Sequence, residues 1–222
     1  MSVAATHAGG IAEHIHPEPQ TFIRKYIFSI DHKIIGIQYI ITTLVFMTLG
    51  GLLAEFMRTQ LLHASAGFVS PDTFNELFSI HGSTMVWFFV IPILTGGFGN
   101  LVFPVQIGAR DVAFPWLNML SFWMFAPAGL MLYGSFLLGA PTAGWTEYPP
   151  ISLEGNLGTS LWCIAVFIAG VGSTITGLNF LVTIMKMRAP GMTLTRMPLF
   201  VWGQLVTAPL LMVATTALGA AL

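Results

Sequence analysis

Thr159–Met185 reads TSLWCIAVFIAGVGSTITGLNFLVTIM, 27 residues without one charged side chain. A helix needs about 20 apolar residues to cross the hydrocarbon core of a bilayer. This run is long enough, and burying it in a soluble core would leave no polar face for water. Four more stretches qualify: Ile34–Met57, Leu77–Val105, Ala113–Leu138 and Pro198–Leu222. The second is interrupted by Pro92 and a glycine-rich patch. Backbone groups in lipid must pair internally, and the strict alternation of a barrel is missing. The expected fold is therefore all-α: a polytopic membrane bundle of about five transmembrane helices.

Composition agrees. Of 222 residues, 55% are hydrophobic and 8% charged, and mean hydropathy is +0.80. A soluble domain carries about 25% charged residues. A net charge of −1 gives no bulk attraction for nucleic acid. The single cysteine, Cys163, excludes an internal disulfide and a cysteine-based metal cluster. Residues 1–33 lack the apolar core of a cleaved signal peptide. They are expected to form a leader, with Ala4–Gln20 solvated and disordered, and 34–222 to form the transmembrane domain. His7, His14 and His16 in that tail offer no fixed geometry for a metal.

Charge sets the expected orientation. The loops on the side of the N-terminal segment hold Arg24, Lys25, Lys33, Arg110, Lys186, Arg188 and Arg196, whereas the other side holds only Arg58. Cytoplasmic loops carry the excess of Lys and Arg. The N-terminus is therefore expected in the cytoplasm, in a bacterial inner membrane or its equivalent. Asp72, Glu76, Glu147 and Glu154 then lie outside. The fifth span ends on TTALGAAL, residues 215–222, with no polar flank. That ending leads us to expect a piece of a longer or split protein.

Polar residues at membrane depth are costly and usually functional. His81 lies in IHGSTMVWFF, residues 80–89, about a turn into the second span. A neutral imidazole is a good axial ligand for heme iron. Gly82 would let a flat macrocycle approach, and Met85 and Phe88, at i+4 and i+7, share the histidine's face. A histidine bonded to a neighbouring helix is the plainer alternative. Asn100, after Gly96-Gly97-Phe98-Gly99, lies 19 residues beyond His81, near the opposite membrane face. Those glycines also suit simple close helix contact.

Asp111, in IGARDVAFP (residues 107–115), stands at the mouth of the third span. It is either a helix-start carboxylate favoured by the dipole or an entrance for protons. Asn118 follows two turns on. Ser173, Thr174, Thr176 and Asn179 add polar groups in the fourth span. Such hydroxyls usually bond their own i−4 carbonyl, but a set aligned with Asn100, Asn118 and Asp111 could order a water chain. At the outer end, Arg58 could snorkel, and Trp145 and Tyr148 in GWTEYPP, residues 144–150, could form an aromatic belt.

Taken in order, these segments resemble subunit I of the heme-copper respiratory oxidases. The resemblance begins at SIDHKIIG (29–36). It continues through residues 81–89, 97–100, 107–115, LSFW (120–123), 144–150, GLNF (177–180) and KMRAPGM (186–192). It runs in family order from about residue 22 to 214. No single motif is specific, but their joint order is.

The resemblance implies that His81 is an axial ligand of a low-spin heme iron, with heme a favoured. It implies that Arg58 contacts that heme's formyl group and that Trp145 and Tyr148 lie near its propionates. Asp111 matches the mouth of the D proton pathway, and Asn100, Asn118, Tyr39 and Ser173 match its lining. Gly172 stands where many members have serine. The remaining heme ligands, the copper-ligating histidines and the glutamate ending the D pathway lie in later helices of the family. The high-spin heme and copper are therefore expected only with the missing C-terminal part.

The implied function is part of the catalytic subunit of a proton-pumping terminal oxidase reducing O2 to water, with no activity for this chain alone. The implied partners are subunits II and III, the remainder of subunit I, membrane lipid and cytochrome c. Leu49, Leu53, Thr73 and Glu76 stand where quinol-using relatives carry Arg, Asp, His and Gln, which favours cytochrome c. Arg110 and the 186–192 wording look similar to quinol oxidases. A nitric oxide reductase relative is disfavoured by the Asp111, Asn100 and Asn118 set. An inactive or split heme-binding or assembly subunit is the alternative of another class.

Overall fold

The structure, a computed structural model, describes residues 21–62 and 67–222. The tail histidines His7, His14 and His16 lie outside the described residues. Five helices are long and apolar enough to span a membrane: α1 (His32–Gln60), α2 (Pro71–Ile107), α3 (Pro115–Leu138), α4 (Leu157–Lys186) and α5 (Leu199–Ala221). No strand occurs among the described residues. The all-α bundle expected from hydropathy is the observed fold.

Capping explains where the helices start. Asp31 accepts from the Lys33 N–H at 2.8 Å to open α1. Ser70 accepts from the Thr73 N–H at 3.1 Å, with Pro71 next to it, to open α2. Asn156 accepts from the Thr159 N–H at 3.1 Å to open α4. Each cap satisfies an orphan donor of the first turn. Apolar runs miss these polar first turns, so α2 begins at Pro71 rather than at Leu77 as hydropathy suggested. His81 therefore sits about three turns into its helix rather than one.

Pro92 does not interrupt α2 as expected. Two π-helical stretches, Thr84–Val90 and Ile93–Gly99, flank it. The Ile91 N–H donates to the Val86 carbonyl, five residues back. Wider winding re-pairs the backbone around a residue that has no N–H. At the end of α2, Gly108 takes φ 73°, and the freed Ile107 carbonyl accepts from the Ala189 N–H at 2.8 Å.

Lipid is as apolar as leucine, so close packing and internal hydrogen bonds hold such a bundle together. One core cluster joins Tyr39 and Phe46 of α1, Phe88 of α2, Phe125 of α3 and Trp162 of α4. A second joins Phe103 of α2, Phe180 of α4 and Val201 of α5. A β-carbon on Gly96 would fall 2.6 Å from the Tyr39 ring, so the glycine patch is where α1 and α2 touch. The outward faces carry exposed Ile41, Leu130, Leu137 and Val213, the inverted surface that lipid solvates.

α1 starts on what we call the first face. The 108–114 and 187–198 connections also lie there, and the 139–156 connection lies on the opposite face, as the alternation of five spans requires.

Candidate functional site

His81 turns toward α1. Its Nδ1 lies 2.8 Å from the carbonyl oxygen of Gly50. A carbonyl only accepts, so Nδ1 carries the proton and Nε2 keeps its lone pair. Gly50 allows this approach, because a β-carbon there would meet Met85 Sδ at 3.0 Å and Thr84 Cγ2 at 3.1 Å. Met85 thus shares the histidine's face, as its i+4 position suggests. Phe88 also faces α1, but it is fully buried, 5.6 Å from the Phe46 ring and 5.7 Å from Phe125. It is an element of the aromatic core with no free face.

Gly82 was expected to leave room for a macrocycle. The indole of Trp145 occupies that room instead: a β-carbon on Gly82 would fall 2.8 Å from Trp145 Cδ1. Trp145 also meets Trp87 edge to face at 6.0 Å. The loop is tied to α2 by the Gly144 N–H, which donates to Ser79 Oγ at 2.8 Å. Tyr148 is 72% exposed and stands apart from this cluster. Arg58 is exposed in the last turn of α1, where the helix dipole favours a cation.

Glu147 lies in the same loop with φ 47°. Burial pushes its carboxyl up to about 7, because a half-dry site disfavours the charged form.

A second polar group lies toward the first face. Asn118 Nδ2 donates to Asn100 Oδ1 at 2.8 Å, and Asn100 Nδ2 donates to the Gly96 carbonyl at 2.7 Å. Both asparagines are fully buried. Ser121 Oγ donates to the Asn118 carbonyl at 2.7 Å and lies 3.1 Å from the Tyr39 hydroxyl. Tyr39, Ser173 and Thr176 share a cavity of about 20 Å³, room for about one water. Asn100, Asn118 and Tyr39 are thus joined by contact, and Ser173 is joined to them through the cavity. Ser173, Thr174 and Thr176 bond the i−4 carbonyls, as membrane hydroxyls usually do.

Asp111 is half-buried in the 108–114 loop. Its Oδ1 accepts from the Val112 N–H at 2.7 Å, so it braces the loop, four residues before α3 begins. The loop is pinned to α4: the Ala113 N–H donates to Thr183 Oγ1 at 2.8 Å. Asn179 accepts from the Phe114 N–H at 2.9 Å and donates to the Phe114 carbonyl at 3.1 Å. Asn179 is therefore a two-point backbone clamp, not a member of the polar chain.

Two residues of this group were not singled out from sequence. Ser121 lies three residues after Asn118, a helical spacing that could have revealed it. His32 is 2% exposed, and its Nδ1 lies 2.7 Å from the Asn100 carbonyl. A histidine inside the 29–36 motif was its signal.

Comparison with known proteins then decides the family. Residues 34–222 match the family described as cytochrome C and quinol oxidase polypeptide I. The chain belongs to that family. It is 44% identical to the cytochrome c oxidase subunit 1 of Thermostichus vulcanus, over 93% of this chain and 38% of that relative. It is 43% identical to the quinol oxidase subunit 1 of Bacillus subtilis (strain 168), over 89% of this chain and 31% of the relative. With the cytochrome c oxidase subunit 1 of Bacillus sp. (strain PS3) the identity is 46%, over 85% of this chain and 31% of the relative. This subunit I chain thus spans between 31 and 38% of the length of these relatives.

Proposed function

We propose that this chain supplies a low-spin heme ligand and a proton entrance to the catalytic subunit of a proton-pumping terminal oxidase that reduces O2 to water. The observation that carries the reading is the His81–Gly50 hydrogen bond, because it holds the ring in the tautomer whose Nε2 can bind iron. His81 would hold the heme, with Met85 beside it and Arg58, Trp145 and Tyr148 toward its polar edge. The heme, when bound, accepts and passes on single electrons. Heme a is the type the resemblance favours. The high-spin heme and copper belong, in this reading, to the remainder of subunit I.

The first face is the cytoplasmic one in a bacterial inner membrane or its equivalent, on the basic-residue count. Asp111 takes protons there. Asn118, Asn100, Tyr39 and Ser173 carry the path inward, and the Asn100–Asn118 hydrogen bond and the one-water cavity support it. His32 fixes the Asn100 backbone, and the Asn179 clamp keeps the Asp111 loop against α4. Subunits II and III are the partners, and cytochrome c is the donor, on the residues at 49, 53, 73 and 76. Quinol is the second reading, supported by the resemblance of Arg110 and residues 186–192 to quinol oxidases.

Optical and magnetic spectra of the complete complex carrying His81→Ala test the heme assignment. Loss of the low-spin signal is expected, and an unchanged spectrum overturns it.

A further inference from the structure

Hydroxyl groups in the spans of this bundle mostly turn back on their own helix. Ser83, Thr95 and Thr183 each donate to the carbonyl four residues before them, the usual habit in lipid. Thr84 departs from it. It is fully buried and stands three residues after His81, where the wider winding of α2 begins. Its Oγ1 lies 3.1 Å from the Tyr133 hydroxyl of α3, where either oxygen can donate. Among the described residues neither hydroxyl has another hydrogen-bond partner.

The pair lies against the bond that holds the imidazole. Thr84 Cγ2 is one of the atoms that a β-carbon on Gly50 would crowd, at 3.1 Å, and the Gly50 carbonyl is the partner of His81 Nδ1. Tyr133 also stacks on Phe46, one turn before Gly50 on α1, with ring centroids 6.1 Å apart and planes at 10°. Helices α1, α2 and α3 thus meet within a turn of the histidine. A threonine in a helix divides between two rotamers, because its hydroxyl can bond a carbonyl one turn back. The bond to Tyr133 removes that choice and keeps the Thr84 methyl against Gly50.

We propose that Tyr133 is a positioning residue for the low-spin heme. By holding the Thr84 hydroxyl it fixes the contact of α2 with Gly50, and so the strength of the His81–Gly50 hydrogen bond. Tyr133 bonds neither His81 nor Gly50 and acts only through Thr84. The proposal rests on the reading of His81 as the iron ligand and adds a residue that tunes that ligand. Without the Tyr133 hydroxyl, Thr84 Oγ1 turns to the Ile80 carbonyl four residues back, as its neighbours do. Its methyl then leaves Gly50, and the bond from His81 Nδ1 lengthens. Donation from the second ring nitrogen raises the basicity of a metal-bound imidazole. A longer bond therefore gives a less basic ligand, which stabilises ferric iron less.

Redox titration of the complete complex, followed by optical and electron paramagnetic resonance spectra, tests this. Tyr133→Phe keeps the ring on Phe46 and removes only the hydroxyl. It should shift the low-spin g values and raise the midpoint potential. Thr84→Ala should raise the potential as well, and adding Tyr133→Phe to Thr84→Ala should produce no further rise. If Tyr133 served only to stack on Phe46, Tyr133→Phe would titrate like wild type. That result overturns the proposal, and so does a rise by Tyr133→Phe that is equally large in the Thr84→Ala background. His81→Ala separates the two readings. If the heme assignment is wrong, the low-spin signal survives in His81→Ala and both readings fall. If only this proposal is wrong, His81→Ala loses the signal while Tyr133→Phe keeps the wild-type potential.

Discussion

His81 and Gly50, 31 residues apart, are joined by one hydrogen bond of 2.8 Å from the imidazole Nδ1 to a main-chain carbonyl. The bond uses no side chain on α1, so its strength depends only on how closely the helices approach. A β-carbon on Gly50 would press on Met85 Sδ at 3.0 Å and Thr84 Cγ2 at 3.1 Å. Gly50→Ala should therefore push α2 away and weaken the bond. Such outer partners are worth about 10–100-fold in metal affinity and raise ligand basicity. A less basic imidazole stabilises ferric iron less, so the low-spin heme of the complete complex should lose occupancy and its midpoint potential should rise. Redox titration of that variant checks it, and a potential at or below the wild-type value counts against the assignment.

Asn118 Nδ2 donates to Asn100 Oδ1 at 2.8 Å in a fully buried site, and Asn118 Oδ1 has no protein partner there. Asn118→Ala leaves Asn100 Oδ1 without its donor, a desolvation cost of about 1–3 kcal/mol. Asn118→Asp is expected to be worse, because it sets a second acceptor against the first. Thermal denaturation of the two variants should rank them in that order below wild type, and both should turn over more slowly. Equal stability for the two would contradict the donor–acceptor assignment.

Asp111→Asn separates bracing from proton transfer. The amide oxygen can still accept from the Val112 N–H, the bond that Asp111 Oδ1 makes at 2.7 Å. That bond should therefore persist in the variant. An amide cannot relay protons, so turnover should fall by about 100-fold, the low end for losing a positioned proton-transfer group. Steady-state oxygen consumption and the proton-to-electron ratio measure this. A normal ratio in that variant removes Asp111 from the pathway.

How much of this was legible in the sequence differs from residue to residue. The five spans were, because lipid imposes one requirement, length in apolar residues, on every helix. The start of α2 was not, because the Ser70 cap and the polar turn after Pro71 carry no hydropathy signal. His81, Asn100 and Asn118 stood out as polar groups at depth. Their partners did not: the Gly50 carbonyl has no signature of its own, and Asn179 reaches Phe114 across 65 residues. Gly82 was read as space for a ligand, and only packing shows that Trp145 takes it. Sequence thus locates groups that need a partner, and the fold supplies the partner.

Glu147 provides a stability test that needs no turnover. Its carboxyl stands near 7 in the fold against an ordinary value of 4.5, raised by burial. Between those two values the folded state binds more protons than the unfolded chain. Stability then falls as pH rises through that window and is flat above it. The group is about half exposed, so solvent screening keeps the effect small, no more than about 1 kcal/mol. Glu147→Gln has no proton to lose and should abolish the slope while matching the acid-side stability of wild type. Melting temperatures of the complete complex from pH 4.5 to 7 measure the difference between the two. Parallel curves would mean that the Glu147 carboxyl is solvated like any surface acid.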